Sequence, residues 1–156
     1  MEEITKQISL YQARIGIDIN PLAEEIRIIT SKVVSDSIIM SRIKHPLILK
    51  KKMQLFNVTD IFLIDDVYGI RVIVDKVEQA YEVLNEISQV LCGDIILDYF
   101  KEPKKVSGKT TIQFLKFVAF INNTAFEIQI TTKGRHKINE VQHKEYHDIK
   151  YSKLNL

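Results

Sequence analysis

The sequence predicts an α/β domain with one mixed β-sheet flanked by helices, and three observations carry that reading. Of the 156 residues, 46% are hydrophobic, which suits one domain with a real core and no second one. Twice an apolar, strand-like stretch is followed by a helical pattern, the mark of a strand-to-helix unit. Towards the C-terminal end, two further strand-like stretches flank Asn122-Asn123-Thr124, and asparagine's tolerance of left-handed backbone angles suits a hairpin there.

Each element has its own signal. From Glu2 to about Ile15 apolar residues recur at helical spacing, and Asn20-Pro21 supplies a cap and a first-turn proline for a second helix reaching about Val34. These helices, within residues 1–37, are expected to pack on a domain spanning 38–150. Ile38 to Ile43 is short and apolar enough for a strand, and His45-Pro46 then opens a helix in which Lys50 to Lys52 precede Met53 and Leu55. Val67 to Val74 is rich in β-branched residues and reads as a buried strand, while Val77 to Leu91 has clear helical periodicity. After Gly93 comes a short strand to about Tyr99, then a lysine-rich loop from Lys101 to Lys109. Thr110 to Ile121 and Ala125 to Thr132 read as strands, and a polar helix starts near Arg135.

Composition removes several classes of function. With 22 basic and 20 acidic side chains, the net charge advertises neither nucleic acid nor a membrane surface, so any electropositive site must be local. The one cysteine, Cys92, excludes a disulfide framework and reads as a small buried apolar residue. No apolar run approaches the roughly 20 residues needed to cross a bilayer, and Met1-Glu-Glu-Ile lacks a basic leader, so a cytoplasmic protein is expected.

The chemistry concentrates on two strands. Asp66 stands just before the Val67 strand, and Glu127 and Gln129 lie two apart in the last strand, on one face, with Ile128 and Ile130 turned to the other. Two carboxylates converging from separate strands suit Mg²⁺, a hard ion that completes its shell with water and phosphate. An edge strand facing water would give the same pattern, and spacing alone leaves both open. Arg71 alternates with Ile70 and Val72 in an apolar strand, where an arginine needs a partner to stack on or pair with. Two other patterns are decoys. Gly108-Lys109-Thr110 ends like a phosphate-binding loop, but Pro103 stands where its first glycine belongs; His143 and His147 have zinc-helix spacing, but the glutamate falls at Glu145 instead of one position earlier.

In order, Arg42-Ile-Lys44-His45 with Lys52-Met53, Asp66-Val-Tyr-Gly-Ile-Arg71, Asp98-Tyr99-Phe-Lys-Glu-Pro103-Lys104, and Glu127-Ile-Gln129-Ile with Thr132 and His143 resemble the synthetase domain of RelA/SpoT alarmone enzymes. The match runs from about Ile38 to Tyr146, and the chain has no room for the hydrolase domain of the long members, so the likeness is to the small alarmone synthetases. The resemblance implies a nucleotidyltransferase-like fold and transfer of the β,γ-pyrophosphate of ATP to the 3′-hydroxyl of GDP or GTP. It implies that Asp66 binds Mg²⁺, that Glu127 is the general base or a second metal contact, and that Gln129 supports it. Arg42 and Arg71 would sandwich adenine, and Lys44 and Lys52 would hold phosphates. Lys104, Lys109, Thr111, Gln113 and His136 would fall on the acceptor side.

That acceptor side departs from the family. Where relatives carry Gly-Tyr-x-Ser-x-His, with the tyrosine stacking on guanine, this chain reads Gly108-Lys109-Thr110-Thr111-Ile112-Gln113. Thr131 replaces an arginine, and Ile48 a serine. Base stacking on an aromatic contributes about 1–3 kcal/mol, so the missing ring alone would be expected to weaken guanine binding by about tenfold to over a hundredfold. Other activities therefore stand beside the first: transfer to another 3′-hydroxyl, such as an adenine nucleotide or the 3′ end of a tRNA whose backbone Lys104, Lys105 and Lys109 would suit, or nucleotide or partner binding without catalysis. Small family members often assemble through helices flanking the domain, which leaves room for a homo-oligomer.

Overall fold

The computed structural model describes residues 2–60, 64, 67–106, 110–121 and 124–141. A long helix, α1 (Glu2–Ser31), leads into β1 (Ile38–Ile43) and α2 (Pro46–Leu55); β2 (Tyr68–Val74), α3 (Val77–Val90) and β3 (Gly93–Asp98) follow. Two short strands, β4 (Lys104–Val106) and β5 (Thr110–Ile112), pair with each other, and β6 (Leu115–Ile121) and β7 (Thr124–Thr132) form the final hairpin. The last described element is a helix over 133–141, here α4. The main sheet has the order β1-β2-β7-β6-β3, with β2 and β7 parallel and the other neighbours antiparallel, which makes it mixed as the sequence predicts.

Alternation divides this sheet into two faces. Tyr68, Ile70, Val72 and Val74 of β2, Leu115, Phe117 and Ala119 of β6, and Phe126, Ile128 and Ile130 of β7 share one face and one buried cluster. Against it pack Leu49 and Met53 of α2, four residues apart, Ala80, Val83 and Ile87 of α3, and Leu22, Ile26 and Ile29 of α1. Each fully buried valine, leucine, isoleucine, methionine or phenylalanine side chain of this set contributes about 1.5–3 kcal/mol. The helix starts are chemically marked. His45 Nδ1 accepts from the backbone N–H of Leu47 at 3.1 Å with Pro46 behind it, and Gln79 Oε1 accepts from the N–H of Lys76 at 3.0 Å.

Three expectations need correction. Asn20-Pro21 does not begin a second helix: α1 runs through it. A proline inside a helix forfeits one backbone hydrogen bond, but Leu22, Ile26 and Ile29 just beyond it are all buried, and that continuous apolar stripe holds the helix on the sheet. The stretch Thr110 to Ile121 is two strands, because the chain leaves the sheet at Gln113 and Phe114. There Phe114 O accepts from Tyr99 N at 3.0 Å, and the two rings meet edge to face with centroids 5.0 Å apart. Cys92 is exposed, not buried, since α3 ends at Val90 and the cysteine falls on the connection to the edge strand β3. The Asn122-Asn123 turn lies outside the described residues; on either side of it Ile121 pairs with Thr124. No described helix is long and apolar enough to cross a membrane.

Candidate active site

Register builds the site. On the face opposite α1, α2 and α3, Arg42 of β1 is paired with Gly69 of β2, and Gly69 with Glu127 of β7. One step along, Met40 is paired with Arg71, and Arg71 with Gln129. Six residues from three strands therefore stand in two adjacent rows, and they line an open cleft. Its floor is Gly69, which raises no side chain between Arg42 and Glu127.

Burial shows that β7 is no water-facing edge. The strand sits between β2 and β6; Glu127 and Gln129 are 6% and 7% exposed, and the edge-strand explanation of their alternation is excluded. A buried carboxylate needs hydrogen bonds. Gln129 Nε2 donates to Glu127 Oε1 at 2.6 Å, Arg71 Nε donates to Gln129 Oε1 at 3.2 Å, and Arg71 Nη1 donates to Glu140 Oε1 of α4. Four side chains thus form one line from the helix into the cleft. The arginine in the apolar strand is explained by this line.

Other expected residues fall elsewhere. Lys44 is buried at the end of β1, where its N–H donates to Val67 O at 2.8 Å, and Lys52 is half-buried on α2; neither lines the cleft. Asp66, Lys109 and His143 lie outside the described residues, as do the phosphate-loop and zinc-helix look-alikes at Gly108 and His147. Lys104 and Thr111 belong to the β4–β5 pair.

Gln113 and Thr131 form a polar knot with Asn139. Asn139, 6% exposed, accepts from Gln113 N at 3.1 Å and donates to Gln113 O at 2.8 Å, and Thr131 Oγ1 donates to that same oxygen at 3.0 Å. The threonine standing in the arginine's place thereby helps fasten α4 to the β5–β6 connection. Gln113 is engaged through its backbone, and its side-chain amide reaches Phe100 O at 3.4 Å. His136 is half-buried, its Nδ1 enclosed without a hydrogen-bond partner among the described residues. Burial pushes the neighbouring Arg135 guanidinium below its usual range. Sequence reasoning missed Glu140, Asn139 and Met40. Alternation along β1 could have found Met40, two positions from Arg42; the two helix residues gave no local signal.

The cleft offers a carboxylate acceptor, two guanidinium groups and an open floor, a set suited to an anionic ligand with a flat ring and an ionisable hydroxyl. The family model described as the region found in RelA/SpoT proteins matches residues 41–153. Small alarmone synthetase 1 from Bacillus subtilis, solved with its product pppGpp, superposes with a TM-score of 0.76 at 16% identity, over 97% of this chain and 84% of that one. Small alarmone synthetase 2 from the same organism gives 0.69 at 20% identity, over 90% and 80%. The synthetase 1 structure bound to AMPCPP gives 0.64 at 14% identity, over 97% and 83%. At these identities the likeness establishes the fold. A search among curated proteins finds no match to this sequence.

Proposed function

Because the chain belongs to the RelA/SpoT family, we propose that it is an ATP-dependent pyrophosphokinase that moves the β,γ-pyrophosphate of ATP to the ribose 3′-hydroxyl of GDP or GTP. The observation that carries this reading is the convergence of Arg42, Arg71, Glu127 and Gln129 on one cleft by strand register. Relatives of the same fold have been solved with pppGpp and with an ATP analogue, which supports nucleotides on both sides of the reaction.

In the proposed reaction the 3′-oxygen attacks the β-phosphorus. A bond forms between them, the bond from that phosphorus to the α–β bridging oxygen breaks, and AMP leaves. Glu127 takes the proton of the 3′-hydroxyl, and Gln129 holds one of its oxygens so that the other faces the cleft. Arg42 and Arg71, from neighbouring strands, offer flat cations for stacking against adenine. Mg²⁺ would be held by Asp66 and Glu127, and the chemistry asked of it is neutralisation of charge on the transferring group. The Glu127 oxygen that Gln129 leaves free is the hard donor such an ion prefers. Lys44 and Lys52 are proposed to hold phosphates, and Lys104, Lys109, Thr111, Gln113 and His136 to line the acceptor side.

The altered acceptor segment favours a second reading, pyrophosphate transfer to an adenine nucleotide or a tRNA 3′ end. One experiment decides: the purified chain with Mg²⁺, γ-labelled ATP and GDP, GTP, AMP, ADP or tRNA in turn, the products resolved by chromatography. Label on GDP or GTP is expected. Label on another acceptor alone redirects the activity, and nucleotide binding without any transfer leaves a binding domain.

A further inference from the structure

Resting on the reading of the cleft as a nucleotide site, we infer that Glu140 is its positioning residue. From α4 it holds the Arg71 guanidinium by the edge and so presents the flat face to the base. A guanidinium donates five N–H groups in one plane. Arg71 spends two of its three nitrogens on in-plane bonds, Nε on Gln129 and Nη1 on Glu140, and these come from different elements, β7 and α4. Two in-plane bonds fix rotation about the side chain's last torsions while leaving both faces of the plane uncovered by those bonds. The face is what stacks on a purine.

The pair is poorly explained as a stabilising contact. Glu140 has 55% of its side chain exposed against 14% for Arg71, and an ion pair so open to water adds little to folding. Its mount is firm, however. α4 is fastened at Asn139, buried and bonded to the backbone of Gln113; the more exposed Lys133, which pairs with Asp36 at 3.0 Å and Asp75 at 2.9 Å, adds little to that hold. A carboxylate on a fixed helix, aimed at the one arginine that also orients the Gln129–Glu127 pair, sets the geometry of the cleft from outside it.

The test is equilibrium binding of a non-hydrolysable ATP analogue with Mg²⁺, by calorimetry, to the full chain and its variants, with melting curves alongside. Glu140→Ala is expected to weaken binding about five- to tenfold, the loss of one orienting hydrogen bond, with the melting temperature unchanged. Glu140→Gln keeps an acceptor oxygen and stays within about twofold. In an Arg71→Ala background, Glu140→Ala has no further effect, because a positioning residue acts only through what it positions. Unchanged affinity in Glu140→Ala, or losses that simply add in the double variant, would overturn the inference. A chain that binds the analogue in a Glu140-dependent way but transfers no pyrophosphate would sink the proposed reaction and leave Glu140 in place; one that binds no analogue would sink both.

Discussion

Gln129 donates a 2.6 Å hydrogen bond to Glu127 from two positions further along the same face of β7. Its other end accepts from Arg71, and since a guanidinium only donates, the amide is locked in one orientation and Glu127 always receives the N–H. Gln129→Leu, close in volume but without the donor, should therefore lower pyrophosphate transfer about ten- to a hundredfold. Glu127→Gln, which removes the base and keeps the shape, should lower it about 10²–10⁴-fold. Initial rates with labelled ATP measure both; a Glu127→Gln variant at full rate would exclude Glu127 as the base.

Gly69 separates two effects of one position. A Cβ there would lie 3.8 Å from Glu127 O and 4.0 Å from Arg42 Nε, which is ordinary contact. Gly69→Ala should fold with equal or higher stability, by up to about 1 kcal/mol through the stiffer unfolded chain. Gly69→Leu would fill the floor and weaken binding of an ATP analogue by about tenfold or more at little cost in melting temperature. Tight binding by Gly69→Leu would mean that the nucleotide does not lie over this floor.

Gly93 is the opposite case. A Cβ built on it would stand 2.1 Å from the Phe117 ring, and that ring is 1% exposed in the core with nowhere to go. Gly93→Ala should cost about 1–3 kcal/mol in denaturant unfolding, as overpacking does. Adding Phe117→Leu should recover part of the loss, so the double variant is more stable than the sum of the single ones. Strict additivity would show that the two positions do not press on each other.

Tyr81 and Asp98 give a pH signature. The phenol donates to Asp98 Oδ2 at 2.6 Å, and that bond, with burial and the carboxylate's charge, pushes Tyr81 up to about 12. Burial alone would raise Asp98, but the bonds from Tyr81 and from the N–H groups of Lys101 and Phe100 outweigh it and hold the carboxyl below its usual range. A depressed carboxyl stabilises the fold above its unfolded value and loses that contribution as pH falls through the folded one. A raised phenol does so below its unfolded value of 10.0 and loses it as pH rises towards about 12. The melting-temperature gap between the native chain and Tyr81→Phe should be widest from about pH 5 to 9 and close at both extremes. A gap constant across pH would show that the pair does not titrate with folding.

What the sequence disclosed was what local pattern controls. The alternation of Ile70, Arg71 and Val72 marks a strand with one odd side chain, and His45-Pro46 marks a helix start; both stand where expected. Pro21 misled because tertiary burial of Leu22, Ile26 and Ile29 overrides a local break. Glu140 was invisible because its partner lies 69 residues away and only the packing of α4 unites them. Arg42, Arg71, Glu127 and Gln129 could be named from motif and spacing. That Arg71 is spent on the carboxylate line, while Lys44 and Lys52 stand off the cleft, required the fold.

Arg42, Gly69 and Glu127 are abreast through strand pairing alone, and β1, which supplies the arginine, is an edge strand with almost every side chain exposed. Little burial opposes a slip, and a slip of one residue would send Arg42 to the opposite face. What descent must preserve here is therefore counting more than spelling. Substitutions can accumulate across the sheet, as identities of 14–20% with solved proteins of the same fold illustrate, while a single residue gained or lost within β1, β2 or β7 would dismantle the cleft at one stroke.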